Sequence, residues 1–235
     1  MITIAKPIPS LITIILIINV IALYGLNYAV EDAPSFLGLV TANTLLWNKY
    51  VWNLLTGAFY EESFLKLLVD VCVFVLVSPS AVDYLPIDQF AIYMFVTVLG
   101  SSLATSFYCI IRFFSTGREA MILEPIYGCS GVIIALTMYC RKHLGKTPII
   151  SITKVDTNVD NIIIDTLIRV ISQVTFNNLP LIIIFVELLC WFLRFRWLAL
   201  DTPFAIFSLL ISWSYLKFYY HNGKYILSVY IVFYF

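Results

Sequence analysis

Gly128-Cys129-Ser130-Gly131-Val132-Ile133-Ile134-Ala135-Leu136-Thr137-Met138-Tyr139-Cys140 is the stretch on which the reading of this chain turns. It is almost wholly apolar, opens on a serine among small residues, and stops at the charged Arg141-Lys142-His143. A run bounded in this way predicts a membrane-crossing helix. Ser130 is placed as a nucleophile would be, yet a serine hydroxyl attacks weakly until a neighbouring base takes its proton. His143 and His221 are the two histidines of the chain, and neither lies inside a membrane-length segment. His143 follows Ser130 on the same run, roughly 20 Å away at 1.5 Å per residue. A working base must come within about 3 Å, directly or through one water.

Composition supports the membrane reading. Hydrophobic residues make up 61% of 235 positions and charged residues 12%, too little charge to cover a soluble domain of this size. The formal net charge is zero, so nothing points to a nucleic-acid partner. Cys72, Cys109, Cys129, Cys140 and Cys190 all lie in or beside apolar runs, and no pair has metal-ligand spacing. They read as reduced packing thiols, with no metal and no cofactor expected. Lys6 precedes a long apolar run that lacks a small-residue cleavage site, so the first run is expected to be retained as a span.

Working outward, the apolar runs predict an all-α polytopic membrane protein with six transmembrane helices, organised as one domain over 1–235. The spans cover about Ile8–Leu26, Phe64–Val77 (ending at Ser78-Pro79-Ser80), Phe90–Ile111, Pro125 to the Arg141 cluster, Leu179–Phe195 and Pro203–Tyr220. Pro125 is taken as a first helical residue. Residues 35–63, rich in aromatics but broken by Asn43, Asn48, Lys49 and Asn53, suit the water–lipid interface. Residues 145–178 form the longest hydrophilic stretch. Ile163, Ile164, Leu167, Ile168, Ile171 and Val174 share one helical face there, which predicts an amphipathic helix on the cytosolic membrane surface. Tyr225–Phe235 is apolar but too short to cross as a helix.

Six spans put both termini on one side. With a cytosolic N-terminus, Lys6, Arg141, Lys142, Lys146, Lys154, Arg169, Lys217 and Lys224 face the cytosol. Lys49, Arg112, Arg118, Arg194 and Arg196 face the other side. The larger basic group belongs in the cytosol, so both termini are expected there.

Lys66, Asp70 and Glu187 are the charged residues inside spans, where such groups turn to the bundle interior or a wet cavity. Burial lowers a lysine pKa and would make Lys66 a conceivable base, but Asp70 one helical turn away would hold it charged. An ion path would need a longer relay than these residues offer. Gly128, Ser130 and Gly131 suit close helix packing, the hydroxyl bonding locally or across the contact. The same small-residue face would also serve as a groove for a partner helix.

The segment Trp52-Asn53-Leu54-Leu55-Thr56-Gly57-Ala58-Phe59, followed by Glu61 and Ser63, resembles the start of the second helix of rhomboid proteins. Rhomboid proteases carry histidine, histidine and asparagine at the positions that here read Glu61, Lys66 and Asp70. The Gly-x-Ser-Gly match at 128–131 is kept, and the Ala-His-x-x-Gly motif of the last helix is absent. A closer resemblance is to the eukaryotic family of inactive rhomboid-like Golgi proteins called transmembrane protein 115. Its Trp-x-x-Leu-Thr-x-x-Phe-x-Glu-x-Ser pattern is met by Trp52, Leu55, Thr56, Phe59, Glu61 and Ser63. Its Leu-Pro opening of the fifth helix is met by Leu179-Pro180. Its Ser-Trp-x-Tyr-Leu-Arg-Phe-Tyr close of the sixth is met by Ser212, Trp213, Tyr215, Leu216, Lys217, Phe218 and Tyr219, with lysine for arginine. The acidic signature after the second span is reduced to Ser80-Ala81-Val82-Asp83-Tyr84, and Ser130 stands where that family usually lacks a serine.

The resemblance implies a rhomboid-like six-helix bundle with no catalytic residues, resident in Golgi or ER membranes. It implies a part in Golgi organisation and Golgi-to-ER retrograde transport. Expected partners are membrane lipids and transmembrane client or trafficking proteins, with a homo-oligomer allowed. The competing expectation is an intramembrane serine protease that uses Ser130 with an unusual base.

Overall fold

Apolar residues dominate the long runs so completely that helices form along them even across Pro79 and Gly100. The computed structural model describes residues 2–4, 11–82, 87–145, 150–152, 174–193 and 202–218. In chain order these carry β1 (Ile2–Ile4), α1 (Leu11–Gly25), α2 (Ala33–Leu37), α3 (Asn53–Thr56), α4 (Phe64–Val82) and α5 (Ile87–Thr116). Then come α6 (Ala120–Leu123), α7 (Ser130–Leu144), β2 (Ile150–Ile152), α8 (Leu179–Phe192) and α9 (Thr202–Phe218). Among the described residues, one helix is long and apolar enough to cross a membrane, Gln89–Thr116 within α5. Thr13–Tyr28 and Leu179–Phe192 are shorter apolar helices.

The fold is helical and centred on α7. Every residue from Ser130 to Cys140 is buried, as a helix apolar on all sides must be. Around it stand α4, α5, α8 and α9, while α1 packs on the outside of α4. Phe74, Tyr93, Ile134, Leu136 and Tyr139 are fully enclosed in this core. The Tyr93 hydroxyl donates to the Ala135 carbonyl at 2.7 Å, pinning α5 to α7. Arg141, Lys142 and His143 occupy the last turn of α7, where cations favour the negative end of the helix dipole.

Two boundaries depart from expectation. α4 runs on through Ser78-Pro79-Ser80 to Val82; a proline removes one backbone donor, which a packed membrane helix tolerates. α7 starts at Ser130 rather than Pro125. Residues 125–128 are held in extended form on the first loop instead, with Leu39 and Ile126 exchanging backbone hydrogen bonds of 2.8 and 3.1 Å. The chain is helical as expected, with one small addition: β1 and β2 make a three-residue antiparallel ladder, Ile2 opposite Ile152. The Ile-Thr-Ile and Ile-Ser-Ile segments have the β-branched character that strands favour.

The amphipathic helix expected within 145–178 falls mostly outside the described residues. So do His221, Lys6, Lys154, Arg169, Arg194, Arg196 and the 225–235 tail. Residues 35–63 are folded and two-faced. Leu39, Val40, Ala42, Thr44, Asn53, Ala58, Tyr60 and Glu61 are buried, while Phe36, Leu46, Trp47, Val51 and Trp52 are exposed.

Candidate functional site

The first loop builds one wall of the site. The Thr56 hydroxyl donates to the Leu37 carbonyl at 2.7 Å, and Trp52 Nε1 donates to the Phe36 carbonyl at 3.2 Å. Trp52 stacks on Tyr50 with ring centroids 4.6 Å apart, and Phe59 packs against the main core. The resemblance residues Trp52, Thr56 and Phe59 therefore fasten α3 to α2 and to the core. The loop is then stitched to the approach of α7, where the Gly128 amide donates to the Gly57 carbonyl at 3.0 Å. Gly128 has φ of 144°, a conformation that side-chain-bearing residues avoid.

That stitch delivers the N-terminus of α7 to Glu61. The Cys129 amide donates to Glu61 Oε1 at 2.8 Å, and Lys66 Nζ lies 3.3 Å from the same oxygen. Glu61, Lys66, Asp70 and Ser130 are 1, 6, 4 and 6% exposed. A carboxylate at a helix N-terminus meets the positive end of the dipole, and the ammonium supplies the counter-charge that burial demands. A pair between Lys66 and Asp70 was expected; the structure sets Lys66 against Glu61, with Asp70 buried close to the Glu61 carboxylate.

Glu61, Asp70 and Cys129 bring their ligating atoms within 4.8 Å of one another. Two carboxylates and a thiol are a donor set that could hold a divalent cation. Glu61 Oε1 is already shared by the Lys66 ammonium and the Cys129 amide, so a cation would have to displace or bridge that pairing. Sequence spacing gave no sign of this trio, because Cys129 is far along the chain from both acids and meets them only through the loop stitch.

Tyrosines close the polar edge. Tyr60 donates to Asn27 Oδ1, Asn27 Nδ2 donates to the Glu61 carbonyl at 3.2 Å, and Tyr127 donates to Glu62 Oε2. The Tyr60 and Tyr127 rings meet edge to face, centroids 5.2 Å apart. Burial, with the nearby Glu62 and Glu61 charges, raises the Tyr60 hydroxyl well above the ordinary tyrosine range. Burial, together with the hydrogen bond and charge of Glu62, does the same to Tyr127.

Ser130 itself opens α7. His143 sits in the last turn of the same helix, its ring 4.6 Å from that of Tyr139. The small-residue face is covered from within. A Cβ on Gly131 would lie 3.3 Å from the Phe204 Cβ, and Ser208 Oγ donates to the Gly131 carbonyl at 2.5 Å. Glu187 of α8 is likewise buried.

The other resemblance motif sits at the far end of the bundle. Tyr215 packs on Tyr93 with centroids 5.4 Å apart, and Lys142 Nζ donates to the Leu216 carbonyl at 2.6 Å. Lys217 holds its ammonium 4.5 Å from the Trp213 ring centre. Trp213 and Lys217 are exposed at this helix end, as residues at a membrane boundary are. Tyr219 lies outside the described residues.

A helical chain with buried intramembrane charges and broad exposed apolar faces has the physical character of a membrane protein. The chain belongs to the family described as Eukaryotic integral membrane protein (DUF1751), whose model matches residues 12–227. No curated protein matches it.

Proposed function

We propose that this protein is a non-proteolytic, rhomboid-like member of its family, built as a six-helix membrane bundle and similar to transmembrane protein 115. It resides in Golgi or early secretory membranes with both termini in the cytosol. There it serves Golgi organisation and Golgi-to-ER retrograde transport by binding membrane-spanning client or trafficking proteins. Support for the bundle comes from six helices of 14 residues or more, α7 and the five that surround or flank it. The family match supports residence in a eukaryotic membrane.

The observation that carries the non-proteolytic reading is the bond from the Cys129 amide to Glu61 Oε1. An acyl-transfer site needs donors aimed at a developing oxyanion. Here a carboxylate takes up the amide beside Ser130 and would repel such a charge. The test uses the full chain in eukaryotic cells. A tagged copy should co-localise with Golgi markers, and its removal should slow return of cargo to the ER. Plasma-membrane or mitochondrial localisation would sink the trafficking role. A fluorophosphonate probe should leave the purified protein unlabelled; labelling lost in Ser130→Ala would establish the protease instead.

A further inference from the structure

Away from Ser130, the seam between the first loop and α5 carries a second polar cluster. Asn53 is fully buried at the start of α3, and among the described residues neither its amide nitrogen nor its amide oxygen has a hydrogen-bond partner. The hydroxyls of Thr44, Ser102 and Thr105 are equally buried and equally unpartnered. Other hydroxyls on α5 satisfy themselves. Thr97 donates to the Tyr93 carbonyl at 2.8 Å, Ser101 to Val98 at 2.9 Å and Ser106 to Ser102 at 3.0 Å.

The α3 and α5 members of this set lie on elements that pack against each other. Ser102, Thr105 and Cys109 recur at helical spacing and so share one face of α5. Cys109 on that face lies near the Thr41 side chain. Thr44 lies in the π-helical turn Ala42–Leu46 that begins directly after Thr41. α3 packs against α5, with Leu54 in the same cluster as Leu99 and Leu103, which brings the neighbouring Asn53 to the seam.

We propose that this seam is a binding site for a small cluster of internal water molecules, held by Asn53, Thr44, Ser102 and Thr105. Buried polar atoms are almost always hydrogen-bonded, and leaving this many unmade in one place would oppose folding strongly. Water fits the donor set. The amide offers two donors and an acceptor, and each hydroxyl offers one donor and two acceptor positions. An internal water takes two to four polar partners of this kind. The site is separate from the Glu61 network and does not depend on what the bundle does.

The test has two arms on the full chain purified in lipid nanodiscs. A structure resolved well enough to show solvent should place water within hydrogen-bonding distance of Asn53 and of Ser102 or Thr105. Side chains bonding directly to one another, with no solvent density, would overturn the site. The second arm compares melting temperatures. Thr105→Val keeps the shape and Ser102→Ala removes little volume, so both variants should fold. Each removes an anchor from bound water and should lower the melting temperature. A melting temperature unchanged or raised in both would mean that the hydroxyls are dry, and the proposal fails.

Discussion

Glu61 Oε1 accepts the backbone N–H of Cys129 at 2.8 Å while standing 3.3 Å from Lys66 Nζ. One oxygen thus ties the first loop, α4 and the head of α7 together. Its removal has different consequences from the loss of a surface ion pair, because both partners are nearly out of solvent and a broken buried pair leaves a charge without compensation.

Glu61→Gln keeps an oxygen for the Cys129 amide and removes the charge opposite Lys66. It should destabilise the fold by on the order of 3–5 kcal/mol, and Lys66→Met by a similar amount. The double variant should cost clearly less than the two losses together, since each single change strands the other group. Thermal unfolding of all four proteins in one detergent measures the coupling; additive losses would mean that the two side chains do not act as a pair.

Gly131 has little room beneath Phe204. Gly131→Ala asks the neighbour to give by a few tenths of an ångström, whereas Gly131→Leu overpacks the contact and should cost about 1–3 kcal/mol. Ser208→Ala should cost about 1 kcal/mol through its lost bond to the Gly131 carbonyl. Melting curves rank the three, and a Gly131→Leu protein as stable as wild type would show that α7 and α9 are not in register as described.

Lys142 from α7 caps the Leu216 carbonyl of α9. Lys142→Met should release that carbonyl, and amide exchange should quicken in the last turn of α9 before it changes elsewhere. Lys217→Arg should be tolerated, because a guanidinium stacks on the Trp213 ring as well as an ammonium does. Equal exchange in wild type and Lys142→Met would remove the cap from consideration.

The raised Tyr60 and Tyr127 hydroxyls fix a pH window. Both stay protonated in the folded protein where an unfolded chain would ionise them, so their contribution is complete below the ordinary tyrosine pKa of 10.0 and drains away above it. Stability should be flat from neutral pH towards that point and fall beyond it. Tyr60→Phe/Tyr127→Phe should unfold less steeply with alkali. A wild-type protein with alkaline unfolding identical to the double variant would contradict the assignment.

Ser130→Ala should leave localisation and the recovery of membrane partners unchanged if the bundle binds without cutting. Affinity capture of full-length wild type and variant, compared side by side, measures this. A partner retained by Ser130→Ala but released as a shortened product by wild type would argue for cleavage.

Much of the bundle was legible along the chain. Apolar runs ending at Glu31-Asp32, Arg112 and Arg141-Lys142-His143 mark helices because each residue's cost in lipid is a local property. Ends were less legible. Proline favours a first helical turn, yet Pro125 lies in extended chain because Leu39 offers Ile126 a backbone ladder from far earlier in the sequence. At the site, Glu61, Lys66, Asp70 and Ser130 were identifiable through their positions in a resemblance. Cys129 was not, since a lone buried cysteine announces nothing.

The sequence by itself determined that this is a helical membrane protein, and that Ser130 and His143 stand apart on one helix, since a fixed rise per residue leaves no choice. Only the tertiary structure decided which distant groups meet: Glu61 with Cys129, Gly131 with Phe204, and α3 with α5. Hydropathy acts residue by residue. The pairing of buried charges and amides depends on which surfaces pack, and that choice exists only once the chain has closed on itself.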